Sequence, residues 1–297
     1  MDPQMQKLRA LIASRPRATE LAQMRSDSDA RGANLAKMAN REVKTEKVSA
    51  NGVDSEWLTT PDSSAEKAIL YLHGGGYVLG SVESHRHFAA EAGRQAGART
   101  LAINYRLAPE HPFPAPVEDT VAAYRYLLDS GIKPNHICIA GDSAGGGLVV
   151  GALLAIKEAK LPLPACGWCI SPWVDMEALG QSFTDRSETD PTVQKATILQ
   201  MAQWYLGEQD RRHPHAAPIY GDLRGLPPLL IQVGSVETLL DDSLALARKC
   251  AIDEVPVSLE IWPEMIHIWH IFFPMLDAGQ RALESGGAFV RNALRGN

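Results

Sequence analysis

Cysteine is scarce in this chain, at four residues in 297. So small a supply cannot staple a disulfide framework, and it is ordinary for a protein kept reduced. No window approaches the roughly 20 apolar residues that a membrane span requires. The first residues, Met1 to Leu8, contain no apolar core of a secretory signal. These absences predict a cytoplasmic protein without a transmembrane segment. Basic runs are missing too, and the formal charge is −6, which argues against nucleic acid as a partner. There is no internal repeat and no low-complexity tract. Metal-ligand spacings are likewise lacking. The single C-x-x-C, Cys166-Gly167-Trp168-Cys169, lies in a run that reads as a strand, where residues three apart point to opposite faces. It has no second C-x-x-C or paired histidines beside it, so neither a redox pair nor a zinc site is expected. His85, His87, His213 and His215 lack companion ligands and read as surface or packing residues. No metal and no cofactor is anticipated.

What is present is an apolar-rich chain, 45 % hydrophobic and 22 % charged, suited to one α/β domain with a sizeable core. Residues 1–40 carry weak helical spacing interrupted by Pro3 and Pro16, and should lie on top of something rather than inside it. Glu42 to Val48 alternates, Asn51-Gly52 is a hairpin signal, and Ser55 to Thr60 returns. From Ala68 onward, short apolar strands alternate with helical stretches, the pattern of a mainly parallel sheet. The strands are expected at Ala68 to Leu72, Thr100 to Asn104, His136 to Ala140, Cys166 to Ser171, Leu229 to Val233 and Ser258 to Trp262. Helices are expected at about 83–96, 116–130, 144–159, 238–252 and 276–294. The alternation fails once, between Val174 and about Pro228, where Asp190-Pro191 precedes a helical stretch from Thr192 to Leu206. An insertion there would sit over the C-terminal edge of the sheet, where ligands bind in such folds. The division expected is therefore cap helices over 1–40 and a catalytic domain over 41–297, with a cap insertion at about 175–212.

The chemistry centres on Gly141-Asp142-Ser143-Ala144-Gly145, a G-x-S-x-G stretch between a strand and a helix. Such a turn lifts a serine hydroxyl above the sheet edge and aims a helix N-terminus at it. Upstream, His73-Gly74-Gly75-Gly76-Tyr77 follows a strand. Its backbone N–H groups, with that of Ala144, are candidate donors to an oxyanion. A serine nucleophile needs a base and an acidic orienter. His267 and His270 follow the strand ending at Trp262, and His267 is the nearer. Glu237, Asp241 and Asp242 follow the strand ending at Val233, with Glu237 nearest its end and the two aspartates about a turn into a helix. Asp142 is expected to hold the elbow through backbone hydrogen bonds, and Tyr105 to Pro114 to form a structural loop beneath it.

The motifs His73-Gly74-Gly75-Gly76, Tyr105-Arg106-Leu107-Ala108-Pro109-Glu110-His111-Pro112-Phe113-Pro114-Ala115 and Gly141 to Gly146 together resemble the hormone-sensitive lipase group of carboxylesterases (bacterial lipolytic family IV). Ser171-Pro172-Trp173, Gly225-Leu226-Pro227-Pro228 and the Met265-to-Trp269 segment extend the likeness over about residues 65–295. The resemblance implies an α/β-hydrolase fold, a mostly parallel central sheet with helices on both faces and a small helical cap. It also implies Ser143 as nucleophile and His267 as base, with an oxyanion hole at Gly75, Gly76 and Ala144. The family usually has aspartate where this chain has Glu237, and Asp241 matches a second acidic position. His267-Ile268-Trp269 also departs from the usual His-Gly-Phe.

The expected function is a serine carboxylesterase for short- to medium-chain esters, working without a cofactor on a small-molecule substrate. Self-association into a homodimer stays open. A receptor on the same fold is the alternative from another class, but it would be expected to lack the histidine that this chain keeps. A long-chain lipase would want a larger apolar cap face than Thr192 to Leu206 offers.

Overall fold

The computed structural model describes residues 2–14 and 18–295. Pro16 lies outside the described residues. In chain order the elements are helices α1 (Pro3–Ala13) and α2 (Leu21–Ala39), strands β1 (Lys44–Ala50), β2 (Val53–Thr59) and β3 (Ser64–Leu72), and then α3 (Val82–Ala96). Next come β4 (Ala98–Ile103), α4 (Ala115–Asp129), β5 (Ile137–Asp142), α5 (Ala144–Glu158) and β6 (Cys166–Ile170). The chain continues through α6 (Ser182–Asp185), α7 (Lys195–Leu206), β7 (Leu229–Gly234), α8 (Leu240–Ile252), β8 (Val257–Trp262) and α9 (Asp277–Ala293).

The strands form one sheet in the order β1-β2-β4-β3-β5-β6-β7-β8. β1 and β2 pair antiparallel through the turn at Asn51 and Gly52, and β2 lies antiparallel to β4. From β4 to β8 all neighbours are parallel. The doubly covered central strands explain their unbroken apolar runs, because each residue faces a helix layer whichever way it points. β5, β6 and β7 are buried along their whole length. On one face α4, α5 and α8 bury Tyr124, Leu148, Leu153 and Leu246 against Leu70, Ile139 and Ile231. On the other, α3 and α9 bury Phe88, Leu283 and Val290 against Tyr71, Ala140 and Ile170.

Strand and helix positions follow the sequence pattern, with shifts at their ends. β3 begins four residues before the apolar run, and its register with β4 shifts between Ser64 and Ala68. His136 belongs to a 3₁₀ turn preceding β5 rather than to the strand. Pro3 starts α1 instead of breaking a helix; its missing N–H costs nothing in the first turn. There the Asp2 carboxylate accepts the N–H of Gln4 at 2.8 Å. Cys166 and Cys169 belong to opposite core layers, and all four cysteines are buried and unbridged. Among the described residues no helix is long and apolar enough to cross a membrane. No group of three or more His, Cys, Asp or Glu side chains among them could hold a metal ion.

The N-terminal helices do lie on the domain, in a specific place. Met5 and Leu8 of α1 are buried against Met265, Ile266 and Trp269, the segment just after β8. Arg25 of α2 donates to the carbonyls of Val78 and Ala108 and forms a two-pronged pair with Glu110. Both helices therefore brace loops at the C-terminal edge of the parallel strands.

Candidate active site

β5 ends in a turn that no ordinary backbone would adopt. Ser143 stands at φ 55° and ψ −119° immediately before α5. Such a conformation in a residue with a Cβ costs on the order of 1–3 kcal/mol and persists only when its surroundings enforce it. Here its N–H donates to Ile170 at 2.8 Å, and its carbonyl accepts from Trp173 at 3.0 Å and Gly147 at 3.1 Å. A Cβ on Gly145 would be driven into the Leu72 carbonyl. Glycine there lets the first turn of α5 close onto the end of β3, which sets the serine beside the turn that starts at His73.

His267 lies in the loop after β8, with Nε2 2.9 Å from Ser143 Oγ. Its Nδ1 is 2.6 Å from Glu237 Oε2. Glu237 is completely buried in the turn between β7 and α8. Its Oε1 accepts the Gly234 N–H at 2.6 Å and the Ser171 hydroxyl at 2.8 Å. Ser171 Oγ in turn accepts the N–H of Ile268 at 3.2 Å. The serine, histidine and glutamate singled out in the sequence are thus joined in one hydrogen-bonded line. The other acidic candidates serve elsewhere. Asp241 accepts the N–H of Ser182 at 2.9 Å. Asp242 accepts those of Val174 at 2.9 Å and Asp175 at 3.0 Å, and burial pushes its carboxyl up to about 8. His270 is fully buried and meets Gln232 Oε1 at 3.0 Å.

Burial alone would lower the His267 pKa, but the hydrogen bond and charge of Glu237 outweigh it and hold the imidazolium above its ordinary 6.5. A base must be neutral to take a proton, so the sign is fixed: activity falls as pH drops through that raised value. The expected kcat/KM profile on a neutral ester rises with pH through a midpoint above 6.5. A midpoint below 6.5 would contradict the pairing.

The turn after β3 is held from both sides. The Gly75 carbonyl accepts the N–H groups of Val78 at 3.1 Å and Leu79 at 2.8 Å. His73 donates Nδ1–H to Gly74 O at 2.8 Å and stacks on Tyr105 at 4.2 Å. Burial pushes the His73 pKa down to about 3, so it is neutral and structural. The Tyr105 hydroxyl donates to the His73 carbonyl at 2.7 Å, which places the Tyr105-to-Pro114 loop against the turn, as the sequence implies. From above, Tyr77 stacks on Tyr205 of α7 at 3.8 Å. The Met201 thioether of the same helix lies where a Gly76 side chain would be.

Residues 69–271 match a family of α/β-hydrolase fold. The chain belongs to that family. This α/β hydrolase is 45 % identical to a crystallised esterase of the bacterial hormone-sensitive lipase family, with a TM-score of 0.94 over 99 % of each chain. It is 46 % identical to EstE5, whose crystals were soaked with p-nitrophenyl butyrate, with a TM-score of 0.93 over 99 % of this chain and 100 % of that one. An acetyl-hydrolase of Streptomyces hygroscopicus is 51 % identical over 80 % of each chain. Within the α/β hydrolases the protein falls in the bacterial hormone-sensitive lipase group, and it is a carboxylic ester hydrolase.

Sequence reasoning missed several residues around this α/β-hydrolase site. Ser171, which binds both Glu237 and the backbone after His267, gave no signal beyond its place in the Ser171-Pro172-Trp173 motif. Asp190, read only as turn punctuation, accepts the backbone N–H of Thr238 at 2.9 Å and so ties the insertion to the residue after Glu237. His85 and His87 are both buried, so the surface reading fails for them. His87 bonds the Ile271 carbonyl at 3.1 Å. His213 and His215 remain half-buried, with His215 3.0 Å from Glu158.

Proposed function

We propose that this enzyme hydrolyses short- to medium-chain carboxylic esters through a Ser143–His267–Glu237 triad and an acyl-enzyme intermediate. The observation that carries the reading is the unbroken line from Ser143 Oγ through the imidazole to Glu237, at 2.9 Å and 2.6 Å. His267 Nε2 takes the hydroxyl proton as Ser143 attacks the ester carbonyl. The buried carboxylate of Glu237 keeps the other ring proton on Nδ1 and stabilises the imidazolium that forms. N–H groups of Gly75, Gly76 and Ala144 receive the negative charge that develops on the carbonyl oxygen. A donor of this kind is worth about 10²–10³ in kcat. The imidazolium then protonates the departing alcohol, and water repeats the sequence on the acyl-enzyme.

The helices within 1–40 and the insertion at about 175–212 act as a cap in this reading. Met201 on α7 fills the space over Gly76, which favours small acyl groups and disfavours long-chain lipids. The soaking of EstE5 with p-nitrophenyl butyrate and the acetyl-hydrolase relative support the same size range. The retained histidine, hydrogen-bonded to the serine, favours an enzyme over a receptor. A panel of p-nitrophenyl esters of increasing acyl length tests the size range directly. The expected kcat/KM is greatest between acetate and hexanoate and falls for longer chains. A maximum at dodecanoate or beyond would overturn the size assignment.

A further inference from the structure

Asp142, the residue before the serine, is fully buried and touches more than the elbow. Its Oδ1 accepts the Gly74 N–H at 3.1 Å and the Tyr71 hydroxyl at 2.7 Å. A Cβ on Gly74 would run into its Oδ2. One carboxylate therefore connects the residue bonded to the nucleophile with the first glycine of the oxyanion turn. Its remaining oxygen is not committed to a backbone donor. It faces Nε2 of His85 on α3 at 3.3 Å.

His85 is itself fixed from behind. Its Nδ1 lies 2.7 Å from Ser84 Oγ, and Ser84 shares a reciprocal capping box with Ser81 at the start of α3. The Asn104 side chain accepts the N–H of Val82 at 2.7 Å and anchors the same turn. The side chain is buried, lies outside the Ser143–His267–Glu237 line, and has no part in the proton transfers assigned to that line.

We propose that His85 is a positioning residue for ester hydrolysis: through Asp142 it fixes the Gly74–Gly76 turn relative to Ser143 and so keeps the oxyanion donors aimed. The inference rests on the serine esterase reading given above. Burial would raise the Asp142 pKa, but the neighbouring His85 and the Tyr71 hydrogen bond hold it below its ordinary value. The carboxylate is accordingly ionised and able to accept both donors at neutral pH. Without His85, Oδ2 loses its facing partner, and the carboxylate can rotate about Cβ–Cγ and release Gly74. The turn then moves where the transition state needs it, while the ground-state ester, which makes little use of those donors, binds as before. That separates the two kinetic constants.

The test compares His85→Leu with His85→Gln, whose amide N–H can still face Asp142. Thermal unfolding and circular dichroism select folded protein. A misplacement of about 1 Å can cost on the order of 10² in rate, so His85→Leu is expected to lower kcat on p-nitrophenyl butyrate by about 30- to 100-fold with KM nearly unchanged. His85→Gln should recover most of that loss. Affinity for a butyl trifluoromethyl ketone, which mimics the oxyanion, should fall in parallel with kcat. A His85→Leu protein with lowered melting temperature but wild-type kcat would overturn the proposal and leave His85 a packing residue. So would a loss that His85→Gln does not relieve, or one that leaves the ketone affinity intact. Should His85→Leu not fold, the kcat and ketone affinity of His85→Gln against Asp142→Asn decide: wild-type values for Asp142→Asn overturn the proposal. Ser143→Ala, run alongside, separates the two readings. If it keeps activity the serine mechanism itself falls; if it is inert, any failure belongs to His85 alone.

Discussion

Ser143→Ala is expected to abolish ester hydrolysis, with a loss in kcat on the order of 10⁶, the scale seen when a triad nucleophile is deleted. The folded state should survive. Alanine keeps the Cβ and meets the same φ of 55°, and the hydrogen bonds that hold the elbow come from the backbone N–H and carbonyl of this residue. Only the hydroxyl goes, and with it the 2.9 Å contact to His267. Thermal unfolding should be unchanged within a degree or two. Rates on p-nitrophenyl butyrate, corrected for spontaneous hydrolysis, supply the check. A residual kcat within tenfold of wild type would assign the nucleophile elsewhere.

Glu237→Gln should cost about 10⁴ in kcat, by the precedent of replacing a triad carboxylate with its amide. The geometry says why. Oε1 already accepts two donors, the Gly234 N–H and the Ser171 hydroxyl, so the amide oxygen takes that position. The amide NH₂ is then left facing His267 Nδ1. Nδ1 must become an acceptor, and the ring proton moves to Nε2, against the serine that should be giving its own proton up. Asp241→Asn and Asp242→Asn remove no contact to the imidazole. Asp241 holds Ser182, and Asp242 holds Val174 and Asp175. Both should keep kcat within a few-fold, whatever they do to stability. Steady-state kinetics on the three variants, with circular dichroism, distinguishes these outcomes. A crippled Asp241→Asn beside a nearly normal Glu237→Gln would move the acid by one helical turn.

The parallel sheet was legible because its strands are buried on both faces and stand out as short apolar runs separated by longer helical stretches. The meeting of Ser143 and His267 was legible because short glycine-marked or strand-end positions leave few candidates. The carboxylate facing His267 was harder. Three carboxylates lie within eight residues after β7, and only the start of α8 at Leu240 separates Glu237 in the turn from two aspartates that cap a neighbouring segment. What α1 covers was not legible at all: just Met5 and Leu8 of that helix are buried, too few to announce that they seat on the loop carrying His267. Burial of His85 was hidden for the opposite reason. Ser84 and Arg86 flank it, and hydrophobic periodicity cannot reveal a polar side chain whose burial is repaid by a carboxylate from a distant strand.

The central claim is that Ser143 is the nucleophile, and covalent trapping tests it most directly. Phenylmethylsulfonyl fluoride reacts with a serine hydroxyl only where a base activates it, so labelling of the native protein followed by peptide mass mapping reads the site. One sulfonyl group per chain is expected on Ser143, with complete loss of esterase activity in proportion to labelling and no adduct on Ser143→Ala. Inactivation with the label on another residue and Ser143 unmodified would contradict it.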